Sequence, residues 1–262
     1  MWIGALADCL THGGRIGDTT EIQGVAYRLT DPSANAVVHR IRRPKLGYAC
    51  AELGWYLSGS DKLEHLVPHA PSYGKFSDDG ITLNGAYGPR GLSMQSLDQV
   101  AQALSSNPSS RQVVVPIWRE SDRDKATKDM PCTVSLQFLL RNGLLSLHVY
   151  MRSNDLHLGF LYDTFCFTSI QQIVADMLKV GLGVYTHHVG SLHIYDRNLA
   201  LLTSCVDVPT ATFNTEMTRR RGLTLVDAVI NGAYPADLDS KPVPSVFESM
   251  LKEMKNADRR RS

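Results

Sequence analysis

MPCTVSLQFLLRNGLLSLHVYMRSNDLHLGFLYD, residues 130–163, is the stretch whose reading decides the fold. Thr133 to Leu140 and Leu144 to Tyr150 alternate apolar and polar residues on either side of Asn142-Gly143, a strong short-range signal for a β-hairpin. The pairing puts Cys132 at the open end of that hairpin and Arg152 at the same end. A thiol beside a fixed positive charge favours the thiolate, which is the nucleophilic form. Taken alone, a single cysteine before a strand is more often a packed core residue. With an arginine, the carboxylates Asp155 and Asp163, and Gly159 close by in sequence, the pattern points instead to a nucleophile beside an anion site.

Downstream, Tyr162 to Val180 is the longest apolar helix, with FTSIQQIVADMLKV its clearest part. Val184 to Leu192 reads as a strand leading into His193-Ile194-Tyr195. Residues two apart on a strand share a face, so His193 and Tyr195 can hydrogen-bond one hydroxyl, or else be satisfied by backbone. Asn198 to Thr203 and Phe247 to Lys255 read as helices, and Leu223 to Val229 is ambiguous.

Upstream, Leu46 to Leu57 is apolar enough for a buried helix and contains one acid, Glu52. That carboxyl is either held by a partner or lies on the helix surface. Asp61 to Leu66 reads as a short helix. Residues 68–91 read as a long loop rich in glycine and proline, weighted by Tyr73, Phe76 and Tyr87. Leu92 to Leu104 reads as a helix, and Arg111-Gln112 opens the strand Val113 to Trp118. The charged run from Arg119 to Lys128 reads as a solvated excursion. At the N-terminus, a helix from Trp2 to Leu10 precedes a flexible loop, GGRIGDTTEIQG, in which Arg15 either helps to form a phosphate nest or is exposed. Ile22 to Leu29 and Ala36 to Ile41 are rich in β-branched residues and read as strands.

A chain of 262 residues is long enough for one large core, and the whole of 1–262 reads as a single domain. Lys+Arg 27 against Asp+Glu 26 leaves a net charge of +1, which gives no field to attract nucleic acid or a membrane. The five cysteines are scattered and form no C-x-x-C pair, arguing against a disulfide framework and against a metal site and fitting a reducing cytoplasm. The N-terminal residues lack a basic region and a cleavage site, and no apolar run reaches membrane-spanning length.

Four motifs then carry a resemblance. PCT at 131–133, RSND at 152–155, LG at 158–159 and GSLHIY at 190–195 resemble, in order and spacing, the motifs of the thymidylate synthase superfamily. The resemblance implies a three-layer α/β (α+β) fold with a curved mixed sheet, and a homodimer formed through the sheet face. It implies an enzyme acting on a small pyrimidine nucleotide with 5,10-methylenetetrahydrofolate. In that setting Cys132 adds to carbon 6 and makes carbon 5 a nucleophile. Arg152 and Ser153 match the phosphate-binding pair, Arg111 an arginine donated across the dimer interface, and Arg15 the mobile phosphate arginine. His193 and Tyr195 match the pair on the ribose 3′-hydroxyl, Glu52 the acid that organises proton transfers, and Tyr87 a tyrosine near carbon 5. Asp155, Gly159 and Tyr73 fall at the folate.

The departures from the family pattern narrow the expectation. Asp163 stands where thymidylate synthases carry an asparagine that pairs with uracil. A carboxyl group can accept from the amine of cytosine and, when protonated, donate to its ring nitrogen. In this the chain resembles the cytidylate 5-hydroxymethylase branch, represented in phage DNA modification and in nucleoside-antibiotic pathways. Thr133, Tyr73, Phe76 and Gln112 also depart from the usual histidine, tryptophans and second interface arginine. The closing NADRRRS differs from the small apolar segment that shields hydride transfer in thymidylate synthases. The expectation is therefore hydroxymethylation of CMP or dCMP, with water captured by an exocyclic methylene. Methyl transfer to a uridylate is the alternative enzyme, and a non-catalytic nucleotide-binding homologue is the alternative outside catalysis.

Overall fold

A computed structural model of the chain describes residues 1–213, so the readings at 223–229 and 247–255 and the basic tail lie outside the described residues. The described residues divide into two compact units, one comprising 1–44, 100–118 and 132–213 and the other 45–99 and 119–131. The helices are α1 (Trp2–His12), α2 (Leu46–Ser58), α3 (Met94–Ser106), α4 (Gly159–Leu178) and α5 (Asp196–Thr203). The strands are β1 (Gly14–Ile16), β2 (Thr19–Leu29), β3 (Ala36–Val38), β4 (Val114–Pro116), β5 (Thr133–Arg141), β6 (Leu144–Asp155), β7 (Gly181–Tyr195) and β8 (Ala211–Phe213).

In the first unit, a six-stranded sheet has the order β1-β2-β7-β6-β5-β4, and β3 pairs with β8 apart from it. Only β6 and β7 run parallel; the other neighbours are antiparallel. This is the mixed α/β arrangement that the resemblance implies. The β5-β6 hairpin turns at Asn142 and Gly143, with φ 51° and 72°. Two successive left-handed residues are what a tight hairpin turn needs, and asparagine and glycine tolerate them best. Alternation along the two strands then buries Leu136, Phe138, Leu145, Leu147 and Val149 completely.

Parallel strands need a crossover, and α4 supplies it between β6 and β7. Every residue of α4 from Phe160 to Ala175 is buried. A helix buried all round must settle its polar groups internally. Thr168 and Ser169 donate to the carbonyls of Thr164 and Phe165 at 2.6 and 2.7 Å. Gln171 Nε2 donates to Leu145 O on β6 and to Gly183 O on β7, at 2.8 and 3.1 Å, and so ties the helix to both strands. Phe160, Phe165 and Phe167 on the same helix are each worth roughly 1.5–3 kcal/mol by burial.

Three sequence readings are corrected. The expected N-terminal loop is a hairpin: β1 and β2 turn at Gly17-Asp18, and β2 pairs with β7 from Thr19↔Tyr195 to Leu29↔Tyr185. Its polar residues conceal a strand because pairing satisfies their backbone whatever their side chains do. The strand expected to stop at Tyr150 runs on to Asp155, because parallel pairing with β7 also takes up the backbone of the polar Arg152-Ser153-Asn154-Asp155 segment.

The third correction lies in the second unit, in the charged run read as solvated. Asp122 there is only 1% exposed. Arg90 Nη1 and Nη2 donate to its two oxygens at 2.6 and 2.7 Å, and Arg119 N donates to Oδ2 at 2.8 Å. These bonds, Arg90's first, hold the Asp122 carboxyl below the usual carboxylate range. In this unit Leu63–His65 forms a single 3₁₀ turn within the expected short helix, and the long loop is broken by a 3₁₀ helix at Pro71–Phe76 and ends in a wider π turn at Gly88–Leu92. Among the described residues, no helix is long and apolar enough to cross a membrane.

Candidate active site

Cys132 precedes β5 directly, and Arg152 lies on β6 beside it. The Arg152 N–H donates to the Cys132 carbonyl at 2.8 Å, which fixes the two backbones together. Arg152 Nη2 donates to Cys132 Sγ at 3.7 Å, and the guanidinium lies 5.8 Å from the ring centre of Trp118. Cys132 is partly exposed, whereas the other four cysteines are buried. Burial pushes the Cys9 thiol up to about 11 and raises Cys205 as well, which keeps such thiols protonated. Cys132 thus combines partial exposure with a hydrogen bond from a cation.

The parallel β6-β7 pairing sets two motifs side by side, with Ser153 opposite Ser191 and Asp155 opposite His193. His193 is buried and meets Tyr195 edge to face at 5.0 Å, while Arg197 lies 4.0 Å over the Tyr195 ring. Ser191 Oγ donates to Glu21 Oε2 on β2 at 2.6 Å. Arg15 is exposed on β1 and forks onto both oxygens of Asp196, with Nη2 to Oδ2 at 2.9 Å. The pair stands one residue past Tyr195. Arg111 is exposed ahead of β4, its carbonyl accepting from Gln137 Nε2 at 3.0 Å.

Asp163 lies in the early part of α4 and is 9% exposed. Asn154 Nδ2 donates to its Oδ2 at 2.7 Å. Asn154 Oδ1 lies 3.1 Å from His187 Nε2, and His187 Nδ1 lies 2.6 Å from the Tyr185 hydroxyl. Burial of the charged form drives His187 down to about 3, so its ring is neutral. Burial first, and then the charge of Asp163, hold Tyr185 well above its usual range. At Gly159 a Cβ would come within 2.8 Å of Asn154 Nδ2 and 3.2 Å of Asp163 Oδ2, so a side chain there would disturb the pair. Sequence reasoning missed Asn154, His187 and Tyr185 as partners of Asp163. The one signal was the acid itself, since a carboxyl group in an apolar helix requires a partner.

In the second unit, Glu52 is buried within α2. The Tyr48 hydroxyl donates to Glu52 Oε1 at 2.6 Å. The Tyr73 hydroxyl, 2.9 Å from that of Tyr48, donates to the same carboxylate oxygen at 3.1 Å. Burial and then the Glu52 charge hold both phenols well above their ordinary range. Tyr48 was absent from the sequence reading although its spacing of four from Glu52 on one helix gave the signal. Tyr87 is buried against Tyr56 with ring centres 5.0 Å apart.

The turn between β6 and α4 carries a further polar group. Asp155 Oδ1 accepts from His157 N at 2.8 Å, and Arg42 Nε donates to His157 O at 2.6 Å. Arg42 Nη2 and His157 Nδ1 are buried without a hydrogen-bond partner among the described residues.

A partly exposed thiol beside an arginine, a strand of polar residues beside a buried histidine, and a buried carboxyl on the crossover helix are the chemistry-bearing groups of the first unit, at the positions where the sequence motifs placed them. The family model described as thymidylate synthase matches residues 11–227, and the chain belongs to that family. A deoxyuridylate hydroxymethyltransferase of Bacillus phage SP01 is 34% identical over 191 residues, which cover 67% of this chain and 50% of that protein. The chain therefore spans about half the length of that relative.

Proposed function

We propose that the protein transfers a hydroxymethyl group to carbon 5 of a cytidylate, CMP or dCMP, using 5,10-methylenetetrahydrofolate. The observation that carries the choice of base is the buried carboxyl of Asp163, held by Asn154 at 2.7 Å. A carboxyl group, one oxygen accepting and the other protonated, complements an amine beside a bare ring nitrogen. Cys132 is the nucleophile that adds to carbon 6, and Arg152 favours its thiolate form while binding phosphate with Ser153. His193 and Tyr195 hold the 3′-hydroxyl, and Arg15 and Arg111 are further phosphate ligands, Arg111 reaching a second copy in a homodimer. Glu52 manages protons, with Tyr48 and Tyr73 donating to it, and Tyr87 lies toward carbon 5.

The polar group at the β6-α4 turn suits a folate. Asp155 offers a carboxylate, Gly159 is the backbone position assigned to the folate at the start of α4, and the buried, unpartnered Arg42 Nη2 and His157 Nδ1 suit the polar edge of a pteridine. Tyr73 is the remaining contact assigned to it. When bound, that group supplies one carbon at the oxidation level of formaldehyde. The residues of this chain then orient the nucleotide and control the protons.

Incubation with CMP, dCMP, UMP and dUMP and the folate, followed by mass measurement of the nucleotides, tests the reading. The expected product is a cytidylate heavier by CH2O, with no dihydrofolate absorbance. Turnover of uridylates alone defeats the choice of base. Formation of dihydrofolate with a 5-methyl product favours methyl transfer. The similarity to the phage deoxyuridylate hydroxymethyltransferase supports one second reading, hydroxymethylation of a uridylate, which the same assay separates.

A further inference from the structure

A protonated carboxyl group is two-faced. With the proton on one oxygen it offers an acceptor and a donor in the order that cytosine needs. With the proton moved to the other oxygen the order reverses and matches uracil, whose carbonyl lies beside a ring N–H. An aspartate by itself therefore discriminates poorly between the two bases; something must hold its proton to one side.

The buried chain behind Asp163 has that capacity. A neutral imidazole has a single N–H, so the series Tyr185, His187, Asn154, Asp163 has only two self-consistent directions. With Asn154 Nδ2 turned to Asp163, its Oδ1, 3.1 Å from His187 Nε2, must accept from that nitrogen's N–H, and Nδ1, 2.6 Å from the Tyr185 hydroxyl, must then accept from the phenol. Asn154 Nδ2–H then donates to Asp163 Oδ2 at 2.7 Å. Reversing it requires an amide flip, a change of tautomer and rotation of a buried phenol together. Tyr185 and His187 are wholly buried and Asn154 is 3% exposed, so bulk solvent does not compete for any of the three.

We propose that Asn154 is a positioning residue for base selection: its N–H commits Asp163 Oδ2 to accepting, confines the carboxyl proton to Oδ1, and so breaks the symmetry of the group. His187 and Tyr185 act through it by fixing the direction of the amide. This rests on the reading of Asp163 as the residue that meets the base edge, and extends that reading to what makes the carboxyl selective.

The test uses the full chain and its Asn154→Ala and Asn154→Asp variants, with calorimetric binding of CMP, dCMP, UMP and dUMP from pH 5 to 9, and kcat and KM in the presence of the folate. In folded N154A, the ratio of cytidylate to uridylate affinity should fall at least about tenfold, chiefly through uridylate gained and cytidylate lost in KM. The pH dependence of binding should move upward, because a carboxylate that loses an N–H donor takes up its proton more readily. N154D keeps the shape and replaces the donor with a second carboxyl group, so it should move the profile further in the same direction; it serves as the reading should N154A not fold. His187→Gln, which can still present an N–H to Asn154, should retain most of the selectivity. Unchanged base ratio and unchanged pH profile in a folded Asn154 variant overturn the proposal. If the parent protein prefers uridylates and N154A still loses its preference, the choice of cytosine fails and the positioning role stands.

Discussion

Arg152 touches Cys132 twice, through its backbone N–H to the carbonyl at 2.8 Å and through Nη2 to the sulfur at 3.7 Å. The first contact holds the two backbones side by side, and so keeps the guanidinium within reach of the sulfur. Arg152→Gln should therefore slow alkylation of Cys132 by iodoacetamide at neutral pH by about tenfold, read by peptide mass against the four buried thiols. Cys132→Ala should abolish turnover yet still bind nucleotide in calorimetry.

Replacing Asp163 with Asn changes the base edge without changing its shape. Preference should swing from cytidylates toward uridylates by about 100-fold in kcat/KM, because a site that hydrogen-bonds a polar edge rejects the edge that leaves it unpaired. Parallel kinetics on the four nucleotides check it, and an unaltered preference removes Asp163 from base selection.

Tyr48→Phe removes the 2.6 Å donor to Glu52 and leaves Tyr73 as the remaining phenol on that oxygen. The buried carboxyl then loses part of its hydrogen bonding, at about 1–3 kcal/mol in urea denaturation. If Glu52 manages protons, kcat falls while KM for the nucleotide holds.

His187 gives the fold a pH dependence of known sign. Its folded-state value of about 3 lies below the ordinary 6.5, so protons bind the unfolded chain more readily in between. The contribution is complete above about pH 6.5 and is lost as pH falls toward 3, with a slope approaching 1.4 kcal/mol per pH unit. Urea unfolding of the parent protein and His187→Asn across pH 7 to 4 should give converging stabilities on acidification. Parallel curves would contradict a neutral, buried ring.

In the second unit, Asp122→Asn breaks the fork from Arg90, whose side chain is 5% exposed against 2% for Asp122. An uncompensated buried guanidinium should cost about 3–5 kcal/mol, whereas Asp124→Asn in the exposed part of the same run should be close to neutral by the same denaturation measurement.

The legible parts of this fold are those where a local pattern suffices. Asn142-Gly143 announces its hairpin because few residues tolerate two left-handed conformations in succession. α2 and α4 are plain because long apolar runs have few other fates. The same hairpin sets Cys132 against Arg152 by arithmetic along two strands. Tyr48 and Glu52 could have been paired from their spacing.

What escaped the sequence depended on partners far along the chain. Asp122 reads as one more solvated charge until Arg90 is found against it. β1 and the start of β2 read as loop until β7 pairs with the latter. Asn154 reads as the quiet member of Arg152-Ser153-Asn154-Asp155 until Asp163 and His187 appear on either side of its amide.

The sequence by itself determined the family, the thiol and the odd carboxyl at 163, because motif order and residue type are one-dimensional facts. Only the tertiary structure decided the direction of the hydrogen bonds reaching that carboxyl, because a buried amide takes its orientation from neighbours that chain order does not specify.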